Sequence, residues 1–169
     1  MPDNTRNDNT RNDNAKQESD SKKLGLWIRL ITNSNIIEKE IRNLFRSEFG
    51  VTLPRFDLMS ALYREQGGLT MGELSRRMLV SNGNVTGIVE RLKKEGLVKR
   101  WVLPTDRRIY SVGLTPKGRT DFKVMADRHK QWISDIFGGL QEEELAPMIQ
   151  MMDRVRDVLK VRKEKQKEG

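Results

Sequence analysis

The stretch SNGNVTGIVERL, Ser81–Leu92, decides how the chain reads. Its apolar residues Val85, Ile88, Val89 and Leu92 recur at i, i+3, i+4 and i+7, the period of a helix with one buried face. Glycines nevertheless stand at positions 83 and 87, and each costs a helix interior about 1 kcal/mol relative to Ala. The outward positions Asn82, Gly83, Asn84, Thr86, Gly87 and Arg91 are small or hydrogen-bonding. A helix lying against base edges and phosphates needs that lack of bulk. Its N-terminal amides attract phosphate, Asn can pair with adenine through two hydrogen bonds, and Thr can meet a thymine methyl. A plain surface helix of poor propensity would carry the same residues; the neighbouring basic residues favour DNA.

Upstream, Thr70-Met71-Gly72-Glu73 matches a capping box, so a short helix starts at Met71, turns Leu74 and Met78 inward and stops near Leu79. Only Val80 separates it from Ser81, a good N-cap for the next helix. Two helices joined so tightly form a helix-turn-helix, whose second member lies in the major groove. Downstream, Gly96 is a C-cap, Leu97 to Trp101 takes strand periodicity, and Leu103-Pro104-Thr105-Asp106 is turn chemistry. Tyr110, Val112 and Leu114 alternate on a returning strand. The hairpin is a wing with Arg107 and Arg108 just past its tip, and Arg in a narrow minor groove reads DNA shape. A solvated hairpin with incidental arginines is the competing reading.

Charge agrees with the DNA reading. Of the formal net charge of +8, nearly all lies between Met71 and Arg119, where eleven Lys or Arg face four acids. Arg76, Arg77 and Lys99 are the candidate phosphate contacts. The Lys/Glu-rich end from Lys160 reads as a solvated helix end. With no cysteine, disulfides, thiol redox switches and thiolate metal sites are excluded. His129 is the single histidine, set in an apolar stripe, so zinc chemistry and a Ser-His-Asp site have nothing to rest on, and no glycine motif cradles phosphate. The expectation is a protein that is not an enzyme and has neither metal nor cofactor. No run of about 18 apolar residues and no charged-then-apolar leader is found, which reads as soluble and cytoplasmic.

The flanks complete the layout. Residues 1–21, with the repeat Asn4-Thr5-Arg6-Asn7-Asp8 and Asn9-Thr10-Arg11-Asn12-Asp13, are too polar to offset ordering entropy and are expected to form a disordered tail. A long helix follows from Lys22 to about Glu48, with polar Thr32-Asn33-Ser34-Asn35 marking a bend or a face toward solvent or ligand. A second helix carries Phe56, Met59, Leu62 and Tyr63. Thr115-Pro116 starts another, lined by Phe122, Met125, His129, Trp132, Ile133 and Ile136; His129 there reads as a packed core or interface residue. After Gly138-Gly139, the stripe Leu145, Met148, Met152, Val155 and Leu159 has no core left to join and calls for a second chain. A hydrophobic share of 36% in 169 residues agrees with a domain whose extra helices need a partner.

The block GLTMGELSRRMLVSNGNVTGIVERLKKEGLVKRWVLPTDRRIYSVGLTPKG, residues 68–118, resembles the winged helix-turn-helix core of the MarR family of bacterial transcriptional regulators. Its most specific part is Asp106-Arg107-Arg108 followed by Leu114-Thr115-Pro116 and Gly118. The resemblance implies that Arg108 enters the minor groove, that Asp106 steadies the wing, and that Arg107 fills the variable middle place. It also carries recognition-helix contacts to Ser81, Asn82, Asn84, Thr86 and Arg91.

The fold class implied is mainly α with a small β-hairpin wing. Residues 54–115 would form the DNA-binding domain, while 22–53 and 116–162 interlock as dimerisation helices through Leu24, Trp132, Leu145, Met148, Met152, Val155 and Leu159. Such a homodimer would read a near-palindromic operator, with recognition helices about 34–36 Å apart. The resemblance further implies a repressor released by a small molecule. The block is similar to members that control aromatic-acid catabolism, which points to an aromatic acid or its CoA thioester. In the family the first two helices flank the effector crevice, which nominates Trp27, Ile31, Phe56, Met59 and Tyr63, with Arg29, Arg42 or Arg46 meeting a carboxylate or phosphate. Release would follow from a lobe spacing that no longer matches successive major grooves. The missing cysteine excludes the thiol-based peroxide sensing of some members. The alternative is a winged-helix protein-interaction module that binds DNA weakly or not at all, distinguishable by the salt dependence of binding.

Overall fold

A computed structural model describes the backbone of residues 5–103 and 106–166, with side chains except at 5–13, 15, 103 and 106–109. The elements are α1 (Thr5–Phe49), α2 (Leu53–Arg64), β1 (Leu69–Thr70), α3 (Met71–Met78), α4 (Asn82–Lys94), β2 (Val98–Leu103), β3 (Asp106–Leu114), α5 (Pro116–Ile136) and α6 (Glu142–Lys165). The strands form one antiparallel sheet in the order β1-β3-β2, with Leu69 opposite Val112 and Val98 opposite Leu114. The chain divides into two compact units, Met1–Ala126 and Asp127–Gly169, with α5 beginning in the first and ending in the second.

The first unit is built around the apolar face that the sequence pattern marks. Val85, Val89 and Leu92 of α4 are fully buried together with Leu58, Met59, Leu62, Leu74 and Val112; Ile88 is only half-buried, at the edge of that face. Aromatic rings tie three helices: Phe45 lies 4.4 Å from Phe56 between ring centroids, and Phe122 of α5 lies 5.3 Å from Phe56 and 4.8 Å from Tyr63. Gly96, at φ 72°, ends α4; its N–H donates to the Lys93 carbonyl and that of Leu97 to the Leu92 carbonyl, which turns the chain into β2. Thr115 caps α5 by accepting the Gly118 N–H at 3.0 Å. A Cβ on Gly118 would lie 2.0 Å from the Leu97 carbonyl oxygen, so only glycine lets α5 approach the start of β2.

Two features depart from the sequence reading. The wing hairpin gains a third strand, β1, whose two residues are too few to show alternation. And α1 extends back to Thr5 through the segment expected to be disordered, running unbroken past Thr32-Asn33-Ser34-Asn35. Once the apolar part of a helix is nucleated, each further residue adds one hydrogen bond without a new nucleation cost. Ion pairs at helical spacing, Lys22 with Glu18 and Lys23 with Asp20 (both 2.7 Å), add about 0.2–0.5 kcal/mol each.

In the second unit, Trp132 is buried already in the single chain, with the Arg128 guanidinium 5.8 Å from its ring and the His129 ring edge-on at 6.4 Å. Burial lowers the His129 pKa and favours its neutral form. The α6 helix opens with the Gln141 N–H donating to the Glu144 carboxylate at 2.8 Å, and three glutamates occupy its first turn. None of its residues is buried: Met148, Met152 and Leu159 are exposed, Leu145 and Val155 half-buried. Among the described residues, no helix is long and apolar enough to cross a membrane.

Candidate nucleic-acid interface

The interface is assembled from local signals. At the start of α3, the Thr70 hydroxyl accepts the Glu73 N–H at 3.3 Å, while Glu73 accepts the Thr70 N–H at 2.8 Å and its hydroxyl at 2.7 Å. These bonds hold the Glu73 carboxyl below the ordinary range, the Thr70 hydroxyl first among them. The chain leaves α3 through Leu79, in the left-handed region at φ 54°. The Ser75 hydroxyl donates to the Val80 carbonyl at 2.6 Å, and the Val80 N–H donates back to the Ser75 carbonyl, which pins the turn. Ser81 then caps α4, accepting the Asn84 N–H at 3.4 Å. The helix-turn-helix therefore has the boundaries that the capping residues indicate.

On the outer side of α4, Asn82, Gly83, Asn84, Thr86 and Arg91 are exposed and Gly87 is half-exposed. A Cβ placed on Gly83 or Gly87 would meet nothing within 4 Å. The chain's own packing therefore does not require either glycine. The Thr86 hydroxyl donates to the Asn82 carbonyl at 2.9 Å, which commits the hydroxyl to the helix and leaves the methyl for a partner.

The structure sorts the cations around this surface. Arg76, Arg91, Lys93, Lys94 and Lys99 are exposed, and the Lys99 Nζ lies 5.7 Å from the Trp101 ring centre. Arg77, a candidate phosphate contact, pairs with Glu65 at 2.8 Å; so exposed a pair contributes about 0–1 kcal/mol and yields readily to a phosphate. Arg100 braces β2 against α4 through Glu90 at 2.6 Å, and Arg55 ties α2 to the end of α4 through Glu95 at 2.7 Å. On the wing, β3 begins at Asp106, which is paired with Leu103 next to a register shift after Val102. The side chains of Asp106, Arg107 and Arg108 lie outside the described residues.

A cavity of about 490 Å³ borders α4. Its walls are Arg42 and Arg46 of α1, the loop into α2 (Val51, Thr52, Leu53, Pro54), Met78 and Val80 of the turn, and Gly83, Asn84, Gly87, Ile88 and Arg91. Of the residues expected around an effector, only Arg46 and the alternative Arg42 line it. Phe56 and Met59 belong to the core, and Tyr63 packs on Phe122 under Arg119. Trp27, Arg29 and Ile31 are exposed on α1, roughly 22–28 Å along the helix axis from Arg46 at 1.5 Å per residue. Helical periodicity does not separate residues filling a core from those rimming a crevice. The available sequence signal was the pair of glycines, which mark empty space beside Ile88.

A helix-turn-helix with a three-stranded wing and an exposed basic surface defines a winged-helix protein. The profile of the MarR family matches residues 49–109. The uncharacterized HTH-type transcriptional regulator YsmB of Bacillus subtilis is 31% identical over 111 residues, covering 66% of this chain and 75% of the relative. The transcriptional activatory protein BadR of Rhodopseudomonas palustris is 25% identical over 138 residues, covering 80% of this chain and 78% of BadR. The solved structure of BpsR from Bordetella bronchiseptica, whose DNA binding is regulated by 6-hydroxynicotinic acid, matches with a TM-score of 0.64 at 26% identity, over 76% of this chain and 96% of that one. The chain belongs to the MarR family and is a DNA-binding regulator of transcription, not an enzyme.

Proposed function

We propose that the protein acts in the cytoplasm as a homodimer that represses transcription from a near-palindromic operator and leaves DNA when an aromatic acid or its CoA thioester occupies the cavity beside α4. The observation that carries this reading is the α4 surface: two glycines that the fold does not need, flanked by Asn82, Asn84 and Thr86 and ringed by exposed cations. On a duplex, Asn82, Asn84 and Thr86 face base edges, Ser81, Arg76, Arg77, Arg91 and Lys99 face phosphates, and Arg108 reads the minor groove beside Asp106.

Support for the dimer comes from apolar side chains left open on α6 and on α1, where Leu24, Leu26, Trp27, Ile28 and Ile31 are all exposed. A two-fold pair then calls for half-sites one helical turn apart. Support for an effector comes from the cavity's volume, which lies within the range of small-molecule sites, and from the regulation of BpsR by an aromatic acid.

Footprinting on DNA flanking the gene, repeated with aromatic acids and their CoA thioesters, tests the whole. The expected result is a protected palindrome, lost with one compound. No protection at modest ionic strength, or a stable single chain in sedimentation, refutes the reading. A protein-interaction module would show affinity nearly independent of salt, whereas several phosphate contacts make it fall steeply. The name of BadR favours a second reading, activation; a transcript that falls when the gene is deleted would select it.

A further inference from the structure

Leu79 stands where the fold has little use for a leucine. The turn after α3 needs one residue with left-handed backbone, and Leu79, at φ 54° and ψ 36°, supplies it, which lets the Val80 N–H return to the Ser75 carbonyl. Every other residue with positive φ among the described ones is a glycine: Gly50 (φ 64°) after α1, Gly68 (φ 77°) before β1 and Gly96 (φ 72°) after α4. A Cβ on Gly50 or Gly96 would meet nothing within 4 Å, so at those helix ends the backbone angle alone selects glycine. At position 79 the same angle carries a branched side chain that is 91% exposed, more than any other large apolar residue described, while Met78 and Val80 on either side are half-buried. Leucine here bears a backbone penalty and holds apolar surface in water, with almost no packing in return.

We infer that Leu79 is a DNA-contacting residue, its isobutyl group meeting the apolar edge of the duplex, a thymine methyl or deoxyribose carbons, as α4 enters the groove. This rests on the reading of α4 as the base-reading helix and adds to it a residue from the turn. Position in the chain names the duplex as the occupant. Leu79 follows the exposed Arg76 and Arg77 and precedes Asn82, the first residue of α4, by three places. At 3.8 Å between successive Cα atoms, it lies no more than about 11 Å from Asn82. The N-terminal end of a recognition helix is the part that reaches base edges, so the turn leading into it lies against the same surface. Apart from the Thr86 methyl, the contacts assigned to this surface are polar or cationic. An apolar group reads what those cannot, the methyl that sets thymine apart in the major groove.

Anisotropy with the full chain on the footprinted operator tests this in Leu79→Gly, in Leu79→Met and, as reference, in Asn84→Ala. Glycine fits the left-handed angle, so the Tm of Leu79→Gly should be unchanged or raised by up to about 4 °C. Its Kd for the operator should rise roughly 5- to 10-fold, the effect of uncovering part of a leucine side chain. The slope of log Kd against log salt should stay that of wild type, because no phosphate contact is lost. Leu79→Met keeps an apolar group of similar volume and should bind within about twofold of wild type. Replacing operator thymines one at a time by deoxyuridine should weaken wild type about fourfold at one position in each half-site and leave Leu79→Gly unaffected there. If no thymine responds while Leu79→Gly still binds weakly, the contact is to deoxyribose and the inference stands. Wild-type affinity in Leu79→Gly, a lowered Tm, or an altered salt slope each overturns it: the first gives the leucine to no duplex, the second to the fold, the third to the placing of the turn. Where Leu79→Gly binds as wild type but Asn84→Ala binds weakly, the base-reading role of α4 survives. Where the wild type ignores the duplex, that reading falls as well.

Discussion

Changing Gly87 to Ala tests the cost that α4 carries. Gly87 lies in the middle of the helix, and a Cβ there meets no atom within 4 Å, so the methyl enters without a clash. Replacing an interior helical glycine by Ala is worth about 1 kcal/mol, partly through the lower entropy of the unfolded chain. For a chain of 169 residues this corresponds to a Tm raised by about 2–4 °C. In the proposed interface the same methyl projects toward the duplex. Losing one well-fitted groove contact costs about 1–3 kcal/mol, so DNA affinity should fall roughly 5- to 150-fold. Thermal unfolding at fixed protein concentration and anisotropy on the footprinted operator measure the two quantities on one preparation. A variant that is more stable and binds DNA as tightly as the wild type would show that no duplex lies against this face. A variant that is less stable would show that the glycine serves internal packing after all.

Other perturbations probe other parts. Arg108→Ala should lower operator affinity by about 1–3 kcal/mol with unchanged circular dichroism; undiminished binding removes the wing from the interface. A chain ending before Gln141 loses the open apolar stripe of α6 and should sediment as a monomer, or fold poorly; a stable dimer contradicts the proposed interface. In the α3 capping box, folding lowers the Glu73 pKa, so its stabilisation is complete at neutral pH and disappears as pH drops through the lowered value. The Tm advantage of wild type over Glu73→Ala should therefore shrink between neutral pH and about pH 3. A difference that holds constant over that range would mean that the carboxylate is not the capping group.

Much of the DNA-binding half was legible because its code is local. Thr70 and Glu73 stand three residues apart, Ser81 and Asn84 likewise, and the helix ends at Gly96 through bonds from residues 96 and 97 to residues 93 and 92. The cavity beside α4 was not legible. Its walls come from α1, the α2 loop and α4, and whether Ile88 faces core or cavity depends on what packs beside it rather than on its place in the repeat. The extent of α1 was misread for a related reason, since composition alone does not reveal a neighbouring segment that has already met the cost of nucleation.

The amino-acid sequence by itself determined the order of helices and hairpin, their caps, and the small, polar, basic character of the surface from Ser81 to Arg91. Those properties arise from side chains and backbone groups within one or two turns of each other. Tertiary structure alone decided which arginines are occupied, through pairs such as Arg55 with Glu95, forty positions apart. It also decided that Leu69–Thr70 joins the sheet and that Arg46 and Arg91 border one cavity. These depend on segments distant in the chain being brought together by burial of a shared core, which no local spacing records.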